Sequence, residues 1–523
     1  MQSHIPWLGN VVVLGSLLVF TTEVVSAQLM YRHAGSAPPE SEGWMDNRTE
    51  LRGEVDFGAT NDAGIPAWFV NDRSTAISSS LRYVQEPPRE VAIRGNATLG
   101  WRIRASVRVV NPGDEPDSSV SVLYQVDRLM YDLRFGSSPG GQPIVRVGNS
   151  PNGNTGIDFV LQGSGGGYHL YELVFDPMQQ SADLFVDGVE RLSNLTGYVE
   201  QNPLLRFQWG SASSQTSGHG NYNLVELVIG QPIFVADTGN HRIQRSGDNG
   251  ATWTTVGSGP GLGLGEFRRP GDVAVNADGS VMFVADTGNS RIQRSTDGGI
   301  KWQVIASLGT RPGQVLIPSG LAYDELNDKL YVADTGNSRI QVANVAGSSP
   351  SSPTFAIFTG ATAGTAIGRV LFPVGVAVDS VGAVYVADTE NSRIQRHTTG
   401  ASVGWSVVAE ATRGSAVGKV NSPTGIFVDA GGRVYVADTG NNRVQFNAGA
   451  TLVADWSVLF APGTAIGLVR APMGVVRSLS GNVFVGDTGN HRVQIKPVGG
   501  GAAIVVGGPG RGVGHFNTPT SVR

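Results

Sequence analysis

Apolar and polar residues alternate along most of this chain in short runs, and residues that favour turns separate the runs. Two examples are WRIRASVRVV from residue 101 and VYVAD from residue 384. Alternation with a period of two predicts β-strands that bury one face, and the Gly-, Pro-, Asn- and Ser-rich stretches between them predict turns. The pattern therefore predicts an all-β protein.

A ten-residue pattern recurs six times in the second half of the chain. The copies are VADTGNHRIQ from residue 235, VADTGNSRIQ from 284 and 332, VADTENSRIQ from 386, VADTGNNRVQ from 436 and VGDTGNHRVQ from 485. They lie 48 to 54 residues apart, a spacing typical of propellers, solenoids or repeat arrays. Within a copy, VYVAD alternates, DTGN is typical of a turn and RIQ resumes the alternation, so each copy predicts an antiparallel hairpin.

Two further strands complete each repeat unit. A segment such as PVGVAV from residue 373 precedes most hairpins, and a strand with Trp253, Trp302, Trp405 or Trp456 follows most of them. Four antiparallel strands form one propeller blade. The first unit lacks the Pro-containing strand, and PTSVR from residue 519 supplies one after the last unit. We therefore predict a six-bladed β-propeller over residues 231–523, closed by the C-terminal strand.

These strands, the VYVADTGNHRIQ hairpin and the Gly-rich loop after each unit resemble the NHL repeat family over roughly residues 231–523. The resemblance implies a six-bladed NHL propeller. It implies no single activity, because such propellers serve as protein- or RNA-binding platforms, as sensor domains and, in peptidylglycine amidating lyases, as enzymes.

Residues 28–230 lack the repeat and carry alternating strands of another style. In the strand from residue 101, Trp101, Ile103, Ala105, Val107 and Val109 share one face, which predicts a strand buried on one side. We predict a β-sandwich of the jelly-roll type. The segments GYHLYELVFDP, ADLFVDG and NYNLVELVIG resemble the later strands of concanavalin A-like or laminin G-like jelly rolls. The resemblance implies a glycan- or protein-binding module, although the same fold also hosts polysaccharide hydrolases.

The first 27 residues are typical of a signal peptide. An apolar run from Val11 to Phe20 is followed by Val25 and Ala27, which stand where a signal peptidase reads small side chains. We expect cleavage after Ala27 and a secreted protein. No Lys or Arg precedes the run, and a signal-anchored membrane form is the alternative. After cleavage we expect no stable membrane span.

Composition narrows the possible chemistry. The chain has no cysteine, which excludes disulfides, thiol catalysis and Cys-ligated zinc. Its formal net charge is −5, which argues against a general phosphate-binding surface and against nucleic acid as the partner.

The Asp and Arg of the hairpin recur in every unit, so we interpret them as structural. We expect each Asp to cap the turn and to pair with the Arg across the hairpin. The residues are Asp237 with Arg242, Asp286 with Arg291, Asp334 with Arg339, Asp388 with Arg393, Asp438 with Arg443, and Asp487 with Arg492.

Function is expected where the units differ, and one candidate is a metal site. His241 and His491 follow the turn in the first and last units, which are neighbours in a closed ring, and His515 lies in the loop that leads back into the first unit. Three imidazoles on one side could bind a metal ion. The alternative is that they are unrelated surface histidines.

Three other features are candidate sites. The loop NSPNGNTGID from residue 149 offers amide and carboxylate oxygens for calcium, although turn formation also explains it. Asn47, Asn96 and Asn194 are sequons for N-glycosylation. Glu390 replaces the turn glycine of the fourth unit, so Glu390→Gly is expected to raise the melting temperature if that position needs a positive φ.

We interpret the chain as a secreted, non-catalytic binding or scaffold protein that recognises protein or glycan ligands through propeller loops and the jelly-roll module. An extracellular carbohydrate-active or lyase-type enzyme is the alternative. The innermost strands argue against an enzyme, because Asp272 is the only acidic residue at the positions that follow their prolines.

Overall fold

The computed structural model describes residues 29–523 except 50–54, 63, 74–79, 88–91, 93–99, 112–119, 149–155, 162–166, 178–179, 188, 212–217, 231, 248, 277–278, 346–352, 360–361, 399–403, 410–411, 430–431, 448–454, 479–480 and 498–500. The regular elements of the described residues are β-strands and short 3₁₀ turns, so the all-β prediction is confirmed. The predicted signal peptide, residues 1–27, lies outside them. No helix in the described residues is long and apolar enough to cross a membrane.

The N-terminal unit consists of two antiparallel sheets. Its strands are β1 (Leu29–Ala34), β2 (Met45–Thr49), β3 (Val55–Asp62), β4 (Ile65–Asp72), β5 (Ser80–Gln85), β6 (Trp101–Val109), β7 (Ser121–Ser137), β8 (Pro143–Gly148), β9 (Gly156–Val160), β10 (His169–Asp176), β11 (Ser181–Val186), β12 (Val189–Leu195), β13 (Tyr198–Ser211) and β14 (Gly218–Ile229). Sheet A has the order β12-β11-β10-β6-β14-β4-β3, with β1 also paired to β14, and sheet B has the order β2-β5-β13-β7-β8-β9.

Sheets A and B share one hydrophobic core. Trp101, Ile103, Ala105 and Val107 of β6 point into it and are buried, as their alternation predicts. The Trp101 ring meets the Tyr124 ring of sheet B edge-on, with 5.2 Å between the ring centroids. This apolar layer holds the two sheets together without disulfides.

The other face of β6 is also covered, which differs from the predicted strand buried on one side. Arg104 on that face is only 6% exposed and forms two hydrogen bonds to Glu226 of β14, at 2.7 and 2.9 Å. Arg32 of β1 forms an ion pair of 2.8 Å with Glu325 of the repeat region. A cavity of about 250 Å³ lies along this contact. Sheet A therefore packs against the repeat region through a seam of charged side chains.

The repeat region consists of six sheets, here called repeat sheets 1 to 6. Sheets 1 and 2 contain β15 (Ile233–Asp237), β16 (Arg242–Ser246), β17 (Thr254–Val256) and β42 (Pro519–Val522), and β20 (Asp272–Val275), β21 (Met282–Asp286), β22 (Arg291–Ser295), β23 (Gln303–Leu308) and β24 (Gln314–Val315), respectively. Sheets 3 and 4 contain β25 (Pro318–Asp324), β26 (Lys329–Asp334), β27 (Arg339–Asn344) and β28 (Phe355–Ile357), and β29 (Gly375–Val378), β30 (Val384–Asp388), β31 (Arg393–Thr398) and β32 (Gly404–Val407), respectively. Sheets 5 and 6 contain β33 (Ile426–Val428), β34 (Val434–Asp438), β35 (Arg443–Asn447), β36 (Trp456–Pro462) and β37 (Leu468–Val469), and β38 (Gly474–Arg477), β39 (Val483–Asp487), β40 (Arg492–Lys496) and β41 (Ile504–Gly507), respectively. The strands of these sheets pair antiparallel except for the parallel pairs β23–β24 and β36–β37. The short strands β18 (Gly259–Pro260) and β19 (Glu266–Phe267) pair in the loop before sheet 2.

Strand β42 completes repeat sheet 1 by pairing with β15. The first strand of each sheet contacts the first strand of the next, and β42 contacts both β38 of sheet 6 and β20 of sheet 2. Separate apolar clusters fill the spaces between successive sheets, including the space between sheets 6 and 1. Neighbouring sheets therefore pack face to face, because apolar side chains at alternate positions of each strand point into these clusters.

Candidate functional site

The six hairpin turns, five with the sequence DTGN and one with DTEN, lie on one side of the repeat sheets, where a Gly-rich loop packs over each hairpin. The loops are residues 257–270, 308–318, 359–373, 408–423, 460–472 and 507–519, which pack on the hairpins of sheets 2, 3, 4, 5, 6 and 1. We call this side the hairpin face. It is the side on which the sequence placed the candidate contact surface.

The repeated Asp is the buried centre of each hairpin, and Asp334 of sheet 3 shows its contacts. Asp334 is fully buried and accepts a 2.7 Å hydrogen bond from the Leu316 backbone amide of the loop. It also accepts hydrogen bonds from Arg339 Nε at 2.7 Å and from Gln341 Nε2 at 3.0 Å. One carboxylate therefore ties the loop to both strands of the hairpin.

The repeated Arg and Gln extend this network into the loop. Arg339 donates to the backbone carbonyls of Thr310, Arg311 and Gln314. Gln341 Oε1 accepts a 3.0 Å hydrogen bond from the Gly313 amide. The Asp–Arg ion pair is present in all six sheets, with Nε to Oδ2 distances of 2.6 to 2.8 Å. The hydrogen-bonding groups of these side chains are bonded to the protein itself. They hold the loops in place and are not available to a ligand.

The residue after the turn Asn also has a structural role, although its type differs between the repeats. In every sheet its side chain accepts a hydrogen bond from a backbone amide that leads into the next sheet. The pairs are His241 with Arg269 (3.0 Å), Ser290 with Ile317 (3.3 Å), Ser338 with Phe372 (3.2 Å), Ser392 with Ser422 (3.2 Å), Asn442 with Ala471 (2.8 Å) and His491 with Thr518 (3.1 Å). The residue type varies, but each type supplies an acceptor.

The predicted histidine metal site is not formed. His241 and His491 each use Nδ1 as the acceptor for a backbone amide at a different junction between sheets, while His515 is exposed on its loop. Among the described residues no group of three or more His, Asp or Glu side chains is placed to hold a metal ion. His241 and His491 serve two different junctions between sheets, and His515 belongs to neither.

Substitutions at His491 test this junction. His491 has a φ of 55°, a region that Asn tolerates better than Leu. His491→Asn keeps an acceptor for the Thr518 amide and is expected to leave the free energy of unfolding unchanged within about 0.5 kcal/mol. His491→Leu removes the acceptor and is expected to lower it by about 1 kcal/mol or more. Urea unfolding of both variants measures the difference, and equal stabilities would contradict the acceptor role.

The backbone at Glu390 contradicts the predicted positive φ in the turn of sheet 4. Neither Glu390 nor the corresponding glycines have a positive φ; the left-handed residue is the one two positions later, Ser392 in this sheet. Glycine is needed for close approach instead, since a Cβ at Gly336 would lie 2.7 Å from the Leu316 carbonyl oxygen. The Gly336 amide reaches that oxygen at 2.8 Å, whereas the Glu390 amide stays 3.3 Å from the Leu371 oxygen.

The two positions should therefore respond differently. Gly336→Ala forces the turn off its loop and is expected to lower the free energy of unfolding by about 1–3 kcal/mol. Glu390→Gly shortens one hydrogen bond but adds the conformational entropy of glycine to the unfolded chain, so the effects of about 1 kcal/mol each nearly cancel. Thermal unfolding checks both; a stabilisation by Glu390→Gly well above 1 kcal/mol would contradict this account.

A cavity of about 480 Å³ opens at the centre of the hairpin face. The first strands of the repeat sheets surround it, and Ile317, Val374, Ile426 and Met473 give it apolar walls. A concave pocket of this size with mainly apolar walls is typical of a ligand site.

Asp272 and Arg523 form an ion pair across this cavity. The sequence analysis did not predict this pair. Arg523 Nε is 3.1 Å from Asp272 Oδ1, and the guanidinium also donates to the carbonyls of Leu321 at 3.0 Å and Ile426 at 3.3 Å. One side chain from sheet 1 therefore bonds to sheets 2, 3 and 5 across the centre. The sequence signal for this ion pair was Asp272, the one acidic residue at its position in the first strands. A buried carboxylate at this place requires a cationic partner.

The Asp272 carboxylate is fully engaged. It accepts hydrogen bonds from the backbone amides of Val273 and Leu321, both at 2.8 Å, and from the Ser521 hydroxyl in addition to Arg523. Because its lone pairs already have donors, it is poorly suited to take a proton from a substrate.

The tips of the Gly-rich loops carry exposed aliphatic side chains. Each stands directly before a left-handed glycine whose amide is bonded to the repeated Gln, as Ile367 does before Gly368, which binds Gln395 at 2.8 Å. The exposed fractions are 59% for Leu264, 59% for Ile367, 52% for Val417, 60% for Ile466 and 53% for Val513. The network that fixes the backbone thus turns these side chains toward solvent.

The same loops are basic. Together they hold eight Arg or Lys and two Asp or Glu residues, a formal charge of +6 in a chain whose total is −5, which leaves −11 on the rest. The exposed cations are Arg268, Arg269, Arg311, Arg369, Arg413, Arg470 and Arg511. The local charge of the hairpin face is opposite to that of the protein as a whole.

The remaining candidates lie mostly outside this site. Residues 149–155 of the candidate calcium loop are not among the described residues, and Asp158 just after them forms a two-bond ion pair with Arg146. The sequon at Asn96 and the Asn47 side chain also lie outside the described residues. Asn194 is exposed on β12. Calcium binding and glycosylation stay predictions.

Two family models match the repeat region. The model described as the SMP-30/Gluconolactonase/LRE-like region matches residues 229–416, and the NHL repeat model matches residues 420–445. An SGL/NHL repeat region is thus found at residues 229–445. Comparison with curated proteins gave no match.

Solved structures give likenesses of the fold. A chain of the nidogen/laminin complex is 16% identical with a TM-score of 0.42, covering 56% of this chain and 97% of that chain. A streptogramin B lyase is 14% identical, with a TM-score of 0.35 and coverages of 52% and 82%. A catalytically inactive virginiamycin B lyase from Staphylococcus aureus with quinupristin is 14% identical, with a TM-score of 0.37 and coverages of 52% and 80%. At such scores these likenesses carry no statement about activity or partner.

Proposed function

We propose that this protein is a secreted, non-catalytic binding or scaffold protein that recognises protein or glycan ligands through its hairpin face and its N-terminal unit. One observation carries the proposal. In each repeat the hairpin side chains are buried and bonded to the protein, whereas the loops that they hold are basic and five of the six carry an exposed aliphatic side chain at the tip. Exposed loops on a rigid support are typical of recognition surfaces.

The proposal includes a closed six-bladed propeller over residues 231–523 and a jelly-roll sandwich over residues 28–230. The pairing of β42 with β15 and the apolar cluster between sheets 6 and 1 support closure. The shared core of sheets A and B supports the sandwich. Because sheet A packs on the repeat region at the ends of the first strands far from the turns, it leaves the hairpin face uncovered.

Secretion is part of the proposal and rests on residues 1–27. Expression of the full chain in a secreting host should release a protein whose N-terminal sequence begins at Gln28. Deletion of residues 1–27 should keep the protein inside the cell. Unchanged export of the shortened chain would contradict a signal peptide.

An extracellular carbohydrate-active or lyase-type enzyme is the second candidate, and the cavity at the centre of the hairpin face is the place where it would act. The saturation of the Asp272 carboxylate by protein donors argues against it. Turnover of a glycan or lactone that is lost in Asp272→Asn, while the melting temperature is kept, would favour the enzyme.

Ligand screening tests the proposed function. Residues 28–523 would be applied to a glycan array with calcium and with a chelator, and bound metal would be measured by elemental analysis. Binding of a glycan or of displayed peptides that weakens when Ile367, Val417 and Ile466 are changed to serine is the expected result. Binding that is indifferent to these three loop residues would contradict the hairpin face as the contact surface.

A further inference from the structure

The hairpin face combines three properties that together select a class of partner. It carries a formal charge of +6 on its loops, exposed aliphatic side chains at the loop tips, and an apolar cavity at its centre. The partner must fit all three properties, an inference that rests on the proposed function, in which this face is the contact surface.

The charge selects a partner with an acidic surface. Seven of the eight loop cations are arginines, with Lys419 as the exception. Arginine is enriched and lysine depleted in protein–protein interfaces, because the planar guanidinium is weakly hydrated and binds carboxylates in two-bond geometry. Long-range attraction between opposite charges also speeds the encounter of two proteins.

The apolar side chains favour a protein over a glycan or a nucleic acid. Recognition of single-stranded nucleic acid relies on stacking against aromatic rings, and sugars are also commonly held by ring stacking. The loop tips instead present leucine, isoleucine and valine. Aliphatic side chains surrounded by arginine are typical of the apolar core and polar rim of a protein interface.

The central cavity favours a protein over a lipid surface. A bilayer is flat on the scale of this face and would leave the cavity of about 480 Å³ unfilled. A protein can place an anchoring side chain in such a pocket, and anchors of this kind dominate binding energies. The walls made by Ile317, Ile426 and Met473 match an apolar anchor, and the Asp272–Arg523 pair at the floor leaves little net charge there.

We infer that the hairpin face binds a protein segment that inserts an apolar side chain into the central cavity and places acidic side chains on both flanks against the loop arginines. Outside the cavity lining, the exposed aliphatic loop tips add apolar contacts to the same partner. The partner is thus defined by an acidic–apolar–acidic pattern.

Random 12-residue peptides displayed on phage are the probe, selected against residues 28–523. The consensus peptide is then synthesised and its Kd is measured on the wild type and on four variants. The variants are a tip variant (Ile367→Ser, Val417→Ser, Ile466→Ser), a charge variant (Arg369→Gln, Arg413→Gln, Arg470→Gln), a filled-cavity variant (Ser319→Trp) and a control variant at exposed positions of β41 (Ile504→Ser, Val505→Ser). Melting temperatures confirm that each variant folds.

The expected consensus has an apolar residue flanked by Asp or Glu, and its binding weakens as salt is added. The tip, charge and filled-cavity variants should each weaken binding about tenfold or more, and the control should stay within about twofold. A consensus without acidic residues, or equal affinities for all variants, would overturn the inference.

Two polyanions separate this inference from the proposed function. Heparin and vesicles of phosphatidylglycerol with phosphatidylcholine are tested on the same variants. If they bind in a way that depends on the loops while no peptide does, the face remains a contact surface and the protein partner is wrong. If nothing binds in a way that depends on the loops, both proposals fail.

Discussion

Asp334→Ala is expected to lower the free energy of unfolding of the repeat region by about 3–5 kcal/mol. The fully buried carboxylate accepts hydrogen bonds from Arg339, Gln341, Asn337 and the Leu316 amide. Removing it leaves a guanidinium that is about 10% exposed without its counter-ion, together with unpaired donors, and breaking a buried pair on one side costs about this much. Urea and thermal unfolding of residues 28–523 measure the loss.

The matched control is Asp56→Ala. Asp56 pairs with Arg73 at 2.8 Å, but both side chains are more than half exposed, so the change should stay within about 0.5 kcal/mol. A loss at Asp334 no larger than that at Asp56 would contradict the structural role of the repeated Asp. Faster hydrogen exchange at the Leu316 amide in Asp334→Ala would show that the loop is released.

Glu226→Ala is expected to have an effect of similar size, at the seam between the N-terminal unit and the repeat region. Glu226 is fully buried, accepts both hydrogen bonds from Arg104 and lies 3.7 Å from Arg102. Its removal leaves the buried Arg104 and the partly buried Arg102 with less negative charge, at a cost of about 3–5 kcal/mol. Arg73→Ala at the exposed pair is the control, expected near zero. Thermal unfolding of the two variants makes the comparison, and equal melting temperatures would contradict the seam.

The pH dependence of the same seam has a definite sign. Burial by itself would raise the pKa of Glu226, but Arg104, Arg102 and Arg32 hold it below its usual value. A carboxylate with a depressed pKa in the folded state stabilises the protein above its unfolded pKa of about 4.3, and that stabilisation is lost as the pH falls through the folded pKa. Wild type should therefore lose stability below about pH 4 more steeply than Glu226→Gln. Parallel stability curves for the two proteins in acid would contradict this assignment.

Local pattern was sufficient for much of the fold. The alternation in β6 correctly predicted that Trp101 and Ile103 point into the core, because side chains of a strand alternate between its two faces. The six copies of the hairpin predicted the repeat sheets. These features depend on residues within one strand or one repeat, and such spacings can be read directly.

Features that depend on distant contacts could not be predicted in this way. Arg104 reads as the solvent face of its strand, but Glu325 of the repeat region helps to cover it. Asp272 and Arg523 lie 251 positions apart and meet only because β42 joins repeat sheet 1.

The variable position of the repeat was misinterpreted because its role also depends on a contact that is distant in sequence. His241 and His491 look like functional differences, yet each accepts a hydrogen bond from the amide that enters the next sheet. The requirement is for an acceptor, which His, Ser and Asn all meet. Glu390 was misread because close approach of two backbones and a positive φ both select glycine, and sequence does not separate the two.

Under the proposed function, ligands contact the Gly-rich loops that the buried hairpins hold in place. Hydrogen–deuterium exchange of residues 28–523, with and without the tightest ligand from the glycan and peptide screens, shows whether they do. Protection on binding is expected to be concentrated in residues 359–373, 408–423 and 460–472. Protection confined to sheet B of the N-terminal unit, with the loops unchanged, would contradict it.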